Sequence, residues 1–162
     1  MAYNVYRVEY RLGFQDPLMG PQTRFHNAIF VETEANGDGR VIQVGGDIVS
    51  ASGMTFEEKL GKRPEEDESY QRKYFLGQIR ASEYQNVVQL LRTVRPPPRQ
   101  RTYNIQAQAT VPCKPDGSLY GPGETPPPYR KCTEWTLQDA IPTLQSSGLL
   151  HPNGIPQPQP TA

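Results

Sequence analysis

Residues 25–47 read FHNAIFVETEANGDGRVIQVGGD, which is two runs of β-branched and aromatic residues on either side of Asn36-Gly37. Asn-Gly is the strongest short signal for a tight turn between antiparallel strands. The pattern therefore predicts a β-hairpin with strands over 25–33 and 40–47. With the turn centred on Asn36-Gly37, His26 faces Asp47 across the two strands, and both side chains lie on one face of the sheet.

Further strands flank this hairpin. Residues 3–14 alternate between apolar and polar positions and are rich in Val and Tyr, which predicts a strand before the hairpin. Residues 54–58 and 73–79 have the composition of two more strands, and residues 103–111 of another. Short strands in sequence order, joined by turns, favour an antiparallel sheet.

Two helices are predicted in the second half of the chain. Residues 82–95 carry apolar side chains at helical spacing, and Pro96-Pro97-Pro98 cannot continue a helix. A last helix runs from about Cys132 toward Leu144, and Pro142 is expected to kink it or end it early. We therefore expect an α+β fold in which an antiparallel sheet packs against two helices.

Length and composition bound the class of protein. The chain of 162 residues predicts one domain over residues 1–150, followed by a proline-rich disordered tail over residues 151–162. The 17 basic residues balance the 17 acidic ones, so charge favours no nucleic-acid partner. No apolar run is long enough to span a membrane, and no signal-peptide pattern opens the chain, so we expect a cytoplasmic protein.

Cofactor and metal motifs find no match. No Cys/His spacing fits a tetrahedral zinc site, and no glycine-rich phosphate loop is present. We therefore expect a protein that works without a cofactor or a metal, on a small-molecule or acyl substrate.

Cys132 is the strongest candidate for a reactive residue. It lies at the predicted start of the last helix, where free backbone N–H groups and the helix dipole favour a thiolate. The neighbouring Arg130 and Lys131 are expected to act in the same direction. A thiol nucleophile needs a base, and His26 opens a predicted strand. Asp47, facing His26 in the predicted hairpin, would orient its ring.

The order of these elements resembles a known superfamily. His26-Asn27-Ala28-Ile29-Phe30-Val31 and, much later, Cys132-Thr133-Glu134-Trp135-Thr136-Leu137 resemble the circularly permuted papain-like fold of NlpC-type peptidases and lecithin–retinol acyltransferase-like enzymes. The region from Cys132 to Leu150 is also similar to small fungal proteins whose helix starts with Asn-Cys-x-x-Trp. In this chain, Lys131 replaces that Asn. The resemblance implies a Cys132–His26 dyad that acts on an amide, ester or thioester, by hydrolysis, acyl transfer or cyclisation.

Two other classes of function stay open at this stage. The same residues could line a pocket for a small molecule that is bound without a covalent step, including one that is cyclised or isomerised. Pro96–Pro98 and Pro126–Pro128 could instead serve as polyproline ligands for a partner. For either type of small-molecule site, the candidate substrate contacts are four aromatic residues: Tyr103, Tyr120, Tyr129 and Trp135.

Overall fold

A computed structural model describes residues 1–157. It contains seven strands, two long helical segments and three short 3₁₀ turns within those residues. The strands are β1 (Ala2–Arg11), β2 (Phe25–Glu32), β3 (Gly39–Gly46), β4 (Met54–Gly61), β5 (Tyr70–Arg80), β6 (Arg101–Asn104) and β7 (Ala109–Pro112). The first helix is α1 (Tyr84–Arg92). The second, which we call the C-terminal helix, is continuous over residues 132–146.

The first five strands form one antiparallel sheet in the order β4-β3-β2-β1-β5. β6 and β7 form a separate two-stranded hairpin where sequence analysis predicted a single strand. The predicted α+β class, an antiparallel sheet with two helices, is confirmed. Along the chain, the strand that carries His26 comes before the helix that carries Cys132.

The core lies between one face of the sheet and the two helices. The sheet contributes alternate residues of its central strands to this core, because successive side chains of a strand point to opposite faces. Trp135 from the C-terminal helix is fully buried, packs on Phe56 of β4, and donates its indole N–H to the Val94 carbonyl at 3.1 Å. Its buried neighbours include Val5, Ile29, Val31, Ile42, Val44, Val87, Leu91 and Leu144.

The predicted hairpin is present, but its predicted register is wrong. Val31 pairs with Arg40 and Ile29 pairs with Ile42, which moves β3 by two residues from the expected alignment. The reason is a wider connection over residues 33–38. There the Asn36 side chain accepts the Asp38 N–H at 3.0 Å, and the Thr33 and Glu34 N–H groups both donate to the Asp38 carbonyl. An even shift keeps every side chain on its predicted face of the sheet.

Pro142 does not end the C-terminal helix. The helix widens into a π-helical turn over Trp135–Ala140, and the Ile141 N–H reaches back to the Thr136 carbonyl. The α-helical pattern then resumes over Ile141–Ser146, with Pro142 in its first turn. Proline is tolerated there, because its missing N–H and ring clash matter chiefly where a regular α-helix continues from before it.

The chain beyond residue 150 begins as structure rather than as a free tail. His151 and Gln78 exchange two backbone hydrogen bonds, of 2.8 and 2.9 Å, and the Ile155 N–H donates to the Gln78 side chain. The predicted boundary at residue 150 is therefore too early. Residues 158–162, also assigned to the predicted tail, lie outside the described residues. Within residues 1–157, no helix is long and apolar enough to cross a membrane.

Gly77 makes this docking possible, because it lies at a β-bulge of β5 with φ of +148°. An added Cβ would lie 2.6 Å from the His151 carbonyl oxygen. We predict that Gly77→Ala lowers the free energy of unfolding by about 2–4 kcal/mol, because backbone strain and a backbone clash combine. Urea unfolding measures this loss.

Gly123→Ala is the matched control for this prediction. Gly123 also has a positive φ, of +85°, but an added Cβ there would meet no atom within 4 Å. Strain alone should cost about 1–2 kcal/mol. Equal losses in the two variants would show that the contact of Gly77 with the 151–155 segment contributes nothing to stability.

Candidate functional site

The site is built where β2 and β3 separate. Their pairing runs from Glu32 with Gly39 to Ile29 with Ile42 and stops there, so residues 25–28 and 43–46 diverge. The start of the C-terminal helix fills the opening. Its Thr133 hydroxyl donates to the Phe25 carbonyl at 3.2 Å. Two further hydrogen bonds tie the helix to β2, from the Asn27 amide to the Thr133 hydroxyl and from the Thr136 hydroxyl to the Asn27 carbonyl.

A second set of contacts closes the first turn of this helix. The Lys131 N–H donates to the Glu134 carboxylate at 2.8 Å, which is the N-terminal half of a capping box. Arg24 clamps the same carboxylate with two hydrogen bonds, of 2.8 and 3.0 Å. The contacts of Glu134 with Lys131 and with Arg24 fix the first turn of the helix, and they thereby fix the position of Cys132, its first residue.

Cys132 and His26 line the same cavity at this opening and interact through their side chains. Along the chain, 105 residues separate them (positions 27–131). Burial raises the pKa of the Cys132 thiol. This is outweighed by the hydrogen bond and charge of His26, then by the Asn27 backbone N–H and the Thr133 hydroxyl, so the net pKa is lowered. The Asn27 N–H is available to the sulfur because β2 has left β3 at this point.

The same contact acts in the opposite sense on the histidine. Burial lowers the pKa of His26, but the hydrogen bond and charge of Cys132, followed by the hydrogen bond of Gln43, raise it above its ordinary value. Each group thus favours the charged form of the other, as expected for a thiolate beside an imidazolium.

Gln43, and not Asp47, orients the His26 ring. Gln43 Oε1 lies 2.7 Å from His26 Nε2, which leaves Nδ1 as the ring nitrogen for the thiol. Gln43 in turn donates to Glu57 Oε2 at 2.8 Å. Asp47 accepts the backbone N–H groups of Val49 and Ser50 at a turn after β3. The prediction for Asp47 depended on the hairpin register, and it fails for that reason.

The cationic neighbours of Cys132 are engaged elsewhere. Lys131 Nζ binds Asp16 at 3.0 Å, and Arg130 binds Asp139 at 2.6 Å. The lowered pKa of Cys132 is caused by His26 and by local hydrogen bonds, rather than by these cations as sequence analysis expected.

A cavity of about 360 Å³ leads to the thiol, which is itself only 8% exposed. The segment after β1 forms one wall, and the ends of β3 and β4 form another. The apolar residues of the lining are Leu12, Phe14, Met19, Phe25, Val44 and Met54.

None of the four predicted aromatic contacts lines this cavity. Trp135 is a core residue. Tyr103 is 60% exposed on β6, and Tyr120 lines a separate small pocket under the proline-rich loop. Tyr129 also lines that pocket, and it borders a shallow groove that shares Met19 and Arg24 with the Cys132 cavity. The loop over residues 114–129 therefore adjoins the site without covering the thiol.

Sequence reasoning missed three residues that complete the site: Asn27, Gln43 and Thr133. Each is polar yet sits in or beside an apolar stretch, and Asn27 and Gln43 are buried. A buried polar residue inside a strand needs a partner, so Asn27 and Gln43 carried a usable signal. Thr133 carried none, because threonine is ordinary in a first helical turn.

With this geometry in place, comparison with known proteins identifies the family. The chain belongs to the family of unknown function DUF6540, which matches residues 5–151. That range includes Cys132, His26 and Gln43. Neither curated proteins nor solved structures showed a significant match.

The opposite shifts of the two cysteines generate a prediction. Burial raises the pKa of Cys113, whereas the pKa of Cys132 is lowered. We predict that iodoacetamide alkylates Cys132 at pH values where Cys113 stays protonated, because only the thiolate reacts. The rate at Cys132 should fall as the pH drops below its lowered pKa. Peptide mapping across a pH series measures both rates in the same molecule.

His26→Ala tests the cause of the shift. Without the imidazole, burial acts on the thiol with less compensation, and the alkylation profile of Cys132 should move to higher pH. If Cys132 and Cys113 share one profile, or if His26→Ala leaves the profile of Cys132 unchanged, the two residues do not form a coupled pair.

Proposed function

We propose that this protein is a cysteine-dependent enzyme that transfers an acyl group from an amide, ester or thioester. The observation that carries the proposal is that Cys132 and His26 lie together at one cavity, with Gln43 Oε1 2.7 Å from His26 Nε2. Burial raises the pKa of Cys132 and lowers the pKa of His26, and the interaction between the two groups outweighs burial in both cases. Two neutral residues in an ordinary core would not shift each other's pKa against the effect of burial. Perturbed pKa values in a cavity are typical of functional sites.

In the first step, the Cys132 thiolate attacks the carbonyl carbon of the substrate. A C–S bond forms while the carbonyl π electrons move to the oxygen. The N–H groups of Cys132 and Thr133 belong to the first helical turn and have no acceptor within the helix, so they supply donors for the oxyanion. The N–H of Lys131 is occupied by Glu134.

Collapse of this intermediate breaks the bond to the leaving nitrogen, oxygen or sulfur. The leaving group takes its proton from the His26 imidazolium, so His26 acts first as an acid. A water, hydroxyl, thiol or amine then loses a proton to His26 and attacks the thioester, and the Cys132 thiolate is released. Gln43 holds the ring through both proton transfers and does not change its own protonation.

The permuted papain-like superfamily noted above offers the same roles in the same chain order. A strand histidine precedes a helix cysteine, and a polar side chain positions the ring. We include the protein in that superfamily as part of this proposal, with Gln43 as the positioning residue.

Acyl-enzyme trapping tests the function. Incubation with 4-nitrophenyl acetate and with an aryl thioester should add one acyl group to Cys132, which intact mass and peptide mapping detect. We expect Cys132→Ala to abolish the adduct. We expect His26→Ala to slow acylation by about 10²–10⁴-fold, which is the usual contribution of general acid–base catalysis.

Cys113→Ala is the control variant and should be acylated at the unaltered rate. An adduct that forms equally on Cys113, or at the rate of a free cysteine, would contradict the proposal. Saturable binding of these compounds without any adduct would instead support a protein that binds small molecules non-covalently.

A further inference from the structure

A second cavity, of about 550 Å³, lies next to His26. It is bounded by the end of β1, by β3 and β4, and by residues 62–69. Among the residues that the structure describes, His26 lines both this cavity and the Cys132 cavity, and no other residue does so. His26 therefore lies between the two cavities, and the proposed acyl chemistry uses only one of them.

Four basic side chains line this second cavity, and two of them are already engaged. Arg11 donates to the Glu68 carbonyl, and Arg63 binds Glu66 at 3.1 Å. Lys62 takes part in none of the ion pairs formed within residues 1–157. Lys59 lies 3.9 Å from Glu57, which is too far for a hydrogen bond.

The acidic residues of the lining are occupied. Glu66 is held by Arg63, and the Asp67 carboxylate accepts both the N–H and the hydroxyl of Ser69, at 2.8 and 2.6 Å. The ammonium groups of Lys59 and Lys62 thus keep free donors on one wall. An anionic group is the chemistry that would use these donors.

A short chain of polar contacts connects Lys59 to His26. The Glu57 oxygen that lies nearest Lys59 is the one that accepts the Gln43 amide, and Gln43 also holds His26 Nε2. Gly45 leaves room for this carboxylate, because a Cβ at residue 45 would lie 3.1 Å from Glu57 Oε1. An anion bound at Lys59 can therefore affect His26 by direct electrostatic interaction and through the side chains of Glu57 and Gln43.

We propose that the cavity behind His26 is a binding site for an anionic group, a phosphate or a carboxylate, which Lys59 and Lys62 hold. Occupancy of the site favours protonation of His26 and so increases the thiolate population of Cys132. The binding itself is independent of the proposed acyl transfer, whereas its effect on catalysis rests on that function.

The direction of this effect follows from charge. The positive charge of Lys59 lowers the pKa of His26, although its effect is smaller than those of burial, Cys132 and Gln43. An anion on Lys59 cancels that effect. Tyr10 lies beside the ring, with the two centroids 6.2 Å apart and the planes tilted by 33°. It stays neutral, since burial and nearby acidic charges raise its pKa to about 12. The other charged or titratable groups around His26 and the two cavities are Cys132, Glu57, Lys62, Arg11, Arg63, Glu66, Asp67, Asp16, Arg24 and Lys131.

An NMR titration of the His26 ring tests the site. The full chain carrying Cys132→Ala removes the influence of the thiol, and the His26 Cε1–H signal is followed against inorganic phosphate and, separately, against glutarate. We expect a saturable shift with at least one of the two anions, with His26 titrating at higher pH in its presence. Sodium chloride at matched ionic strength should give no saturable shift.

Variants that remove the charges of Lys59 and Lys62 show where the anion binds. Lys59→Met with Lys62→Met should weaken anion binding by about tenfold or more, since the loss of one charge-assisted hydrogen bond typically lowers affinity by at least that factor. In the absence of any anion, Lys59→Met alone should raise the pH at which His26 titrates. Phosphate should cause a shift in the same direction when Lys59 is present. Lys114→Met is the matched control, because Lys114 pairs with Glu124 and lines neither cavity.

The titrations distinguish a phosphate site, a carboxylate site and the absence of a specific anion site. Saturation by phosphate alone identifies a phosphate site, and saturation by glutarate identifies a carboxylate site. A shift that follows ionic strength only, or one that the lysine variants leave undiminished, overturns the proposal. Because this experiment uses Cys132→Ala, failure of acyl-enzyme formation leaves the anion site standing, and an absent anion effect leaves the acyl-transfer proposal standing.

Discussion

The start of the C-terminal helix, docked into the opening between β2 and β3, is the constraint on which the site depends. Thr133, Thr136 and Asn27 form the hydrogen bonds that hold it there. These bonds satisfy backbone and side-chain groups that lost partners when the two strands separated. The same separation gives the Cys132 sulfur a backbone donor from Asn27. The separation of β2 and β3 therefore determines both the position of the helix and the hydrogen bonding of the Cys132 thiol.

A buried site makes the Cys132–His26 pair strongly interdependent. Each charged form is opposed by burial, and each is favoured by the other member of the pair. In a medium of low dielectric, the loss of one partner leaves the other in its neutral form. Gln43 adds a fixed neutral acceptor that holds the ring without adding a charge. The polar contacts beyond it, through Glu57 to Lys59, extend the environment of His26 to a second cavity.

Much of this architecture could be predicted from local patterns. The hairpin around Asn36-Gly37, the antiparallel sheet and the two helices follow from periodicity and turn residues, which act over a few residues. The errors came from the detailed geometry of the turn and from tertiary packing. An Asx turn at Asn36 widened the hairpin and moved the register by two residues, which aligns Gly45 rather than Asp47 with His26. Gln43 contacts the His26 ring because β2 and β3 separate before this position. Trp135 looked like a pocket residue, but helix packing buries it completely.

The sequence by itself determined the class of the fold and indicated the two candidate side chains of the site, because turn chemistry, periodicity and a cysteine at a helix start are local properties. Tertiary structure alone decided that Cys132 lies against His26, which residue orients the ring, and where the cavities lie. Those features depend on the docking of the C-terminal helix into the gap between β2 and β3. No local sequence pattern indicates that gap. The physical reason is that burial and long-range hydrogen bonds, rather than local propensity, set the charge states of the site.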